Sequence, residues 1–182
     1  MITAMAQAAQ VLGEQRYADA ASQAADFLLE TLRSDDGRLQ HTFKDGRARF
    51  DAYLDDYAAL IDGLVEVYQA TFEAKYLAAA VDLAETMLEQ FWDEEQGGCF
   101  YTSRDHEELI VRQKDLQDSA TPSGNSLAAT ALLRLGRICG RVDFEERGSQ
   151  ILEMMSGQLR QLPTAAGQAL VALDFLSGPA HR

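Results

Sequence analysis

The stretch "LDDYAALIDGLVEVYQATF", Leu54–Phe72, decides the fold. It opens on two adjacent acids and then runs apolar and small almost without interruption. At about 100° per residue, Ala58, Leu60, Ile61, Gly63, Leu64, Val65, Val67, Tyr68 and Phe72 cover more than half of a helical wheel. Only a narrow strip of Asp55, Asp62, Glu66 and Gln69 is polar. Such a helix is expected to be buried on most sides. The segment after it, from Tyr76 to Phe91, differs in kind. Its Tyr76, Ala80, Leu83, Ala84, Met87 and Phe91 form one stripe, with Asp82, Glu85, Thr86 and Glu89 away from it. That pattern describes a surface helix with one buried face.

The same pairing recurs on both sides. "AAQVLGEQRYADAASQAADFLLETLRSDDGRL" precedes it and "LLRLGRICGRVDFEERGSQILEMMSGQL" follows. Each is a helix, a short polar turn, an aromatic (Tyr17, Tyr76 or Phe144) and a second helix. The spacing of these aromatics is longer than that of most solenoid repeats and suits two helices plus a long connection. "SLAATALLRLGRICG" is apolar nearly all round, whereas Ile151, Leu152, Met155, Leu159 and Leu162 lie on one side of the helix after it. "AAGQALVALDFL" reads as one more helix of the buried kind. Alternating buried and half-exposed helices imply an inner ring enclosed by an outer one. The expected fold class is therefore all-α, an α/α toroid of helical hairpins in a single domain spanning residues 1–182.

Composition agrees with an ordinary globular chain: 182 residues, 47% hydrophobic and 25% charged. The net charge of −13, from 29 acids and 16 bases, repels phosphate backbones and anionic lipid, so neither nucleic acid nor membrane is an expected partner. Neutral and cationic small molecules stay open. Cys99 and Cys139 stand far apart with no second cysteine at close spacing, which argues against a zinc knuckle and a CxxC redox site. They read as reduced thiols of a cytoplasmic protein. "MITAMAQAAQVLG" lacks the basic start of a signal peptide, and no apolar run approaches the ~20 residues of a membrane-spanning helix.

The connections carry the irregular chemistry. "GGCFYT" and "ELIVR" around the polar turn "SRDHEE" suggest a small β-hairpin in the long connection, followed by "QKDLQDSATPSGNS". A shorter analogue, "DGRLQHTFKDGRARFDAY", precedes Leu54. Both lead into the N-terminus of a buried helix. Such N-termini gather at one end of a toroid and present unpaired N–H groups, which makes that end the expected site. "WDEEQGG" lacks EF-hand spacing and reads as a turn with Gly97 and Gly98 at positive φ. No metal or cofactor is expected.

"LDDYAALIDGLVEVYQATFEAKYL", "DEEQGGCFYTS" and "RQKDLQDSATPSGNSLAA", in this order, resemble the C-terminal region of the YyaL and spermatogenesis-associated-protein-20-like family. The resemblance runs from Met1 to about Leu173. It implies a thioredoxin-like domain followed by a six-hairpin α/α toroid, similar to six-hairpin glycosidases and N-acylglucosamine 2-epimerases. This chain has neither the thioredoxin-like βαβ pattern nor CxxC, and holds about three of the six hairpins. The resemblance thus implies about half of a six-hairpin barrel, the C-terminal fragment of a longer protein. It also leaves two partners for the open side: a homodimer mate or the missing N-terminal half.

The candidate residues follow from the loop end. Asp55 continues the polar strip and is the expected helix cap, while Asp56 borders the apolar arc and is expected, with Tyr57, to face the lumen. Asp56 and Asp118 are the candidate catalytic carboxylates, as general acid and base across the lumen. Asp55, Tyr57, Lys114, Asp115, Ser123, Gly124 and Asn125 are the candidate substrate-binding groups, suited to a small carbohydrate. Thr121 is the expected cap of the next helix, with Pro122 at its first position. His41, His106 and His181 read as solvated loop residues, which counts against a complete epimerase site. The functional expectation is a sugar-binding, carbohydrate-active-type domain. Its alternative is a non-catalytic scaffold serving the fused thioredoxin-like domain.

Overall fold

The computed structural model describes residues 1–34, 36–106 and 111–178. Eight α-helices and one two-stranded sheet occur among them. In chain order they are α1 (Ile2–Leu12), α2 (Gln15–Thr31), β1 (Gln40–Lys44), β2 (Arg47–Asp51), α3 (Leu54–Thr71), α4 (Ala74–Phe91), α5 (Gly124–Cys139), α6 (Val142–Met154), α7 (Ser156–Gln161) and α8 (Gly167–Ser177). Helices α1, α3, α5 and α8 are neighbours in that order, and α2, α4 and α6 pack on α1, α3 and α5. This is the two-layer arrangement of an α/α toroid, with successive pairs set side by side.

The inner helices earn their place by composition. Leu54, Ile61 and Leu64 of α3 and Leu132, Leu133 and Leu135 of α5 are fully buried. Between the layers sit Tyr76, Leu83, Met87 and Phe91 of α4, and Phe144 and Ile151 of α6. Each such side chain contributes about 1.5–3 kcal/mol by leaving water. Neighbouring helices also approach closely, α5 with α3 and α6 with α5. A Cβ on Gly124 would lie 2.9 Å from Leu54 Cγ, and one on Gly148 would lie 2.7 Å from Leu133 Cγ. Larger residues there would force the layers apart. On the flanking inner helices, Val11 and Leu12 of α1 and Leu170, Val171 and Leu173 of α8 remain exposed. None of the helices is long and apolar enough to cross a membrane among the described residues.

The two-stranded sheet lies in the first connection. Strands β1 and β2 pair antiparallel from Gln40↔Asp51 to Lys44↔Arg47. The turn residues Asp45 and Gly46 both have positive φ, 53° and 72°, as a tight hairpin matched to strand twist requires. In the second connection, "GGCFYT" makes an isolated bridge, Trp92↔Cys99, and a backbone bond from Tyr101 N to Gln113 O at 2.8 Å among the described residues. Most of "ELIVR" falls on residues 107–110, outside the described residues, as does His181.

Each helix pair turns through a left-handed residue: Gly13 (φ 68°), Phe72 (φ 57°) and Gly140 (φ 67°). Phe72 is the odd member, because a Cβ makes this conformation costly. Its ring is 78% exposed, so little packing offsets the strain. Phe72→Gly is expected to raise stability by about 0.5–1 kcal/mol, read as a higher urea midpoint. An unchanged or lower midpoint would show that the edge contact of Phe72 with Tyr68 outweighs the backbone strain.

Candidate functional site

The polar strip of α3 is not solvated in the usual sense. Arg134 of α5 places Nη1 2.8 Å from Asp62 Oδ1 and Nη2 2.6 Å from Glu66 Oε1, and it donates to Gln69 Oε1 at 2.8 Å. From the other side, α1 sends Gln7 Nε2 to Glu66 Oε1 at 2.9 Å and Thr3 Oγ1 to Asp62 Oδ2 at 3.3 Å. Both flanking inner helices reach the same strip, so it faces the toroid axis, opposite α4. Burial pushes the Asp62 carboxyl above its usual range, although Arg134 draws it down. The open groove beside this strip lies towards the N-terminal ends of α1, α3 and α5.

Asp55 and Asp56 stand at that end, and the acid that bonds to the helix start is not the one expected. Helix α3 starts at Leu54 after the N-cap Tyr53. This puts Asp56 at the third helical position, where Oδ2 accepts from Tyr53 N at 2.9 Å, as in one half of a capping box. The same oxygen lies 2.7 Å from His41 Nδ1 on β1. Asp55 instead has Oδ1 sealed from solvent with no hydrogen-bond partner. Burial, and then the charge of Asp56, hold its carboxyl above the ordinary range. The expectation of Asp55 as the cap is therefore corrected: α3 begins two residues earlier than an Asp55 N-cap would require, and Asp56 is the acid that bonds back to the helix start. Both acids, with His41, Thr3, Gln40 and Pro122, line a groove of about 660 Å³. Beside it, Tyr53 stacks on Tyr101 at 4.8 Å and on His106 at 5.3 Å, and meets His41 edge-on at 5.2 Å. This aromatic stack fixes the entry to α3.

The other expected residues hold the fold together around this mouth. Tyr57 is buried and its hydroxyl accepts from Leu39 N at 2.8 Å, which ties the hairpin to α3. Asn125 is fully buried. Its Oδ1 accepts from Cys99 N at 2.8 Å, and its Nδ2 donates to Cys99 O and Asp115 O at 2.9 and 3.0 Å. Asp118 accepts from Ser123 N at 2.9 Å and from Gln168 N at 2.8 Å, joining the starts of α5 and α8. Ser123, not Thr121, is the N-cap of α5, accepting from Ser126 N at 3.2 Å. Pro122 accordingly precedes the cap, because the helix begins only at Gly124. Gly124 serves the close approach to Leu54. Lys114 pairs with Asp93 at 2.7 Å, and Asp115 is exposed, its Oδ1 accepting from Gln117 N at 3.3 Å. Of the nine expected residues, only Asp55 and Asp56 line the groove.

His41 was missed as a site residue because its partner lies 15 positions away in another element. The axial seam had a signal: Asp62, Glu66 and Gln69 recur at helical spacing on an otherwise apolar helix. The groove is of a size that holds small molecules, and its polar wall offers a carboxylate already paired to an imidazole beside a second, desolvated carboxyl.

These features define half of a six-hairpin-glycosidase-like toroid. Among solved structures the chain is similar to a D-mannose isomerase, with a TM-score of 0.71 and 15% identity over 86% of this chain and 41% of that one. It is equally similar to a GH76 alpha-mannanase from Bacteroides thetaiotaomicron, with a TM-score of 0.71 and 12% identity over 94% of this chain and 48% of that one. No family model matches the sequence. The chain is homologous to spermatogenesis-associated protein 20: it is 32% identical to the Rattus norvegicus and Homo sapiens proteins over 184 residues, covering 96% of this chain. An uncharacterized protein of Caenorhabditis elegans is 31% identical over 94% of this chain. The chain spans about a quarter of the length of these relatives, 23% and 24%.

The raised Asp55 carboxyl has a consequence for stability. The folded state binds that proton more tightly than the unfolded state, so the contribution of Asp55 is full below the ordinary Asp range and fades as pH rises through its raised pKa. Asp55→Asn is expected to unfold at higher urea than the parent chain at pH 7. The difference should close as pH falls to about 3.5, below the ordinary Asp value. A lower midpoint for the variant at pH 7 would mean that the helix N-terminus stabilises the charge of Asp55 more than burial opposes it.

Proposed function

We propose that the chain binds a neutral, hydroxyl-rich small molecule of monosaccharide size at the mouth formed by Asp55, Asp56 and His41. The observation that carries this reading is Asp55 Oδ1, a buried acceptor without a partner among the described residues at the wall of a groove. An unmade hydrogen bond of this kind costs about 1–3 kcal/mol, which a ligand hydroxyl inserted beside it would recover. In this reading Asp56 and His41 present a second acceptor and donor, while Asp118 and Asn125 hold the surrounding loop. Solved neighbours named as a mannose isomerase and a mannanase make mannose the first sugar to test and support a place in carbohydrate metabolism. Coverage of 41% and 48% of those toroids supports a unit that supplies about three hairpins of six. The far greater length of the curated relatives suits a toroid segment of a larger, thioredoxin-domain-containing protein. The two unpaired thiols, Cys99 and Cys139, support a cytoplasmic setting.

A non-catalytic scaffold is the second reading, favoured by the sealed axial seam and by the internal engagement of most expected site residues. Thermal-shift titration separates the two. D-mannose or a manno-oligosaccharide is expected to raise the melting temperature of the parent chain, and to do so less in His41→Ala, a substitution at an exposed side chain. Failure of every sugar tested to shift the transition would sink the binding reading and favour the scaffold.

A further inference from the structure

The connection after α4 holds a second cavity, of about 680 Å³, with Arg104, Arg112 and Lys114 around Phe100 and Trp92. In a chain of net charge −13, three cations lining one cavity, two of them over the Phe100 ring, require a reason. Lys114 has one: its Nζ is 2.7 Å from Asp93 Oδ2 and donates to Gly97 O at 2.7 Å. Among the described residues the nearby acids are otherwise committed, Asp93 to Lys114 and Glu94 to Arg147 at 3.6 Å, while Glu95 is exposed at the rim.

The two arginines have no carboxylate in ion-pair range among the described residues. Arg112 is held by backbone carbonyls, donating from Nη2 to Gln90 O at 3.2 Å and to Thr102 O at 2.5 Å. Its guanidinium lies 4.2 Å over the Phe100 ring, a favourable cation–π placement. Its Nε is sealed without an acceptor. Burial, and then the neighbouring charge of Arg104, disfavour its protonated form. Two like charges gathered at a cavity wall without a counterion among the described residues are poised for one, and a planar guanidinium fork suits an oxyanion.

We propose that this cavity binds the oxyanion group of a small molecule, a carboxylate or a phosphate ester, between Arg104 and Arg112, with Phe100 as its apolar wall. The site is separate from the mouth, sharing no lining residue with the groove at Asp55.

Calorimetric titration with inorganic phosphate and with acetate, at constant ionic strength against chloride, tests this. At least one anion is expected to bind saturably, and about tenfold more weakly to Arg104→Gln, whose exposed side chain makes the loss independent of folding. His41→Ala should bind as the parent chain does, which keeps this outcome distinct from that of the sugar titration. Selective binding of phosphate would identify a phosphate ester as the ligand class, and selective binding of acetate a carboxylate. Absence of binding above the chloride control, or equal affinity in Arg104→Gln, would overturn the assignment.

Discussion

The inner ring depends on one buried interaction, the contact of Arg134 with Asp62 and Glu66. Three inner helices meet at this point, because Gln7 and Thr3 of α1 bond the same two acids. Glu66 is only 4% exposed, so its charge would be prohibitively placed without the guanidinium. The seam therefore fixes the rotation of α3. With the polar strip turned to the axis, Leu64, Val65 and Leu54 must turn to the neighbouring helices, and the N-terminal acids must emerge at the mouth.

That rotation explains why the mouth is chemically distinctive. Asp55 continues the strip that Asp62 and Glu66 define, yet no arginine among the described residues pairs with it. It thus meets the desolvation of the axis without the compensation found deeper in the ring. Asp56, one position further round, reaches back to the Tyr53 amide and across to His41. A single helical step thus gives two adjacent carboxyls different surroundings, one oxygen sealed at the groove wall and the other bonded to an amide and an imidazole. The second cavity, around Phe100, belongs instead to the connection between α4 and α5 and is lined by Arg104, Arg112 and Lys114.

The ring itself was legible in the sequence because burial is a periodic property. An apolar arc covering most of α3 and a single stripe on α4 suffice to separate inner from outer helices, and α5, α6 and α8 repeat the distinction. Asn125 was not legible: its amide reads equally as a ligand group, and only the placement of Cys99 beside it reveals a clamp between two segments of the chain. Which of Asp55 and Asp56 bonds to the helix start rests on whether α3 begins at Leu54 or two residues later, a distinction finer than any periodicity. His41 depends on a hairpin docking on a helix start. The hairpin was readable locally, since Asp45-Gly46 lies between two short alternating runs, but the later connection offered a competing pattern of glycines and β-branched residues.

The decisive measurement is the urea unfolding of Arg134→Leu in the parent chain and in an Asp62→Asn/Glu66→Gln background. If the axial seam orients α3, removal of the guanidinium from the parent strands two buried carboxylates and lowers stability by about 3 kcal/mol or more, and the loss shrinks markedly once both acids are neutral. An Arg134→Leu chain that unfolds at the parent midpoint would contradict it, and with it the orientation that brings Asp55 and Asp56 to the mouth.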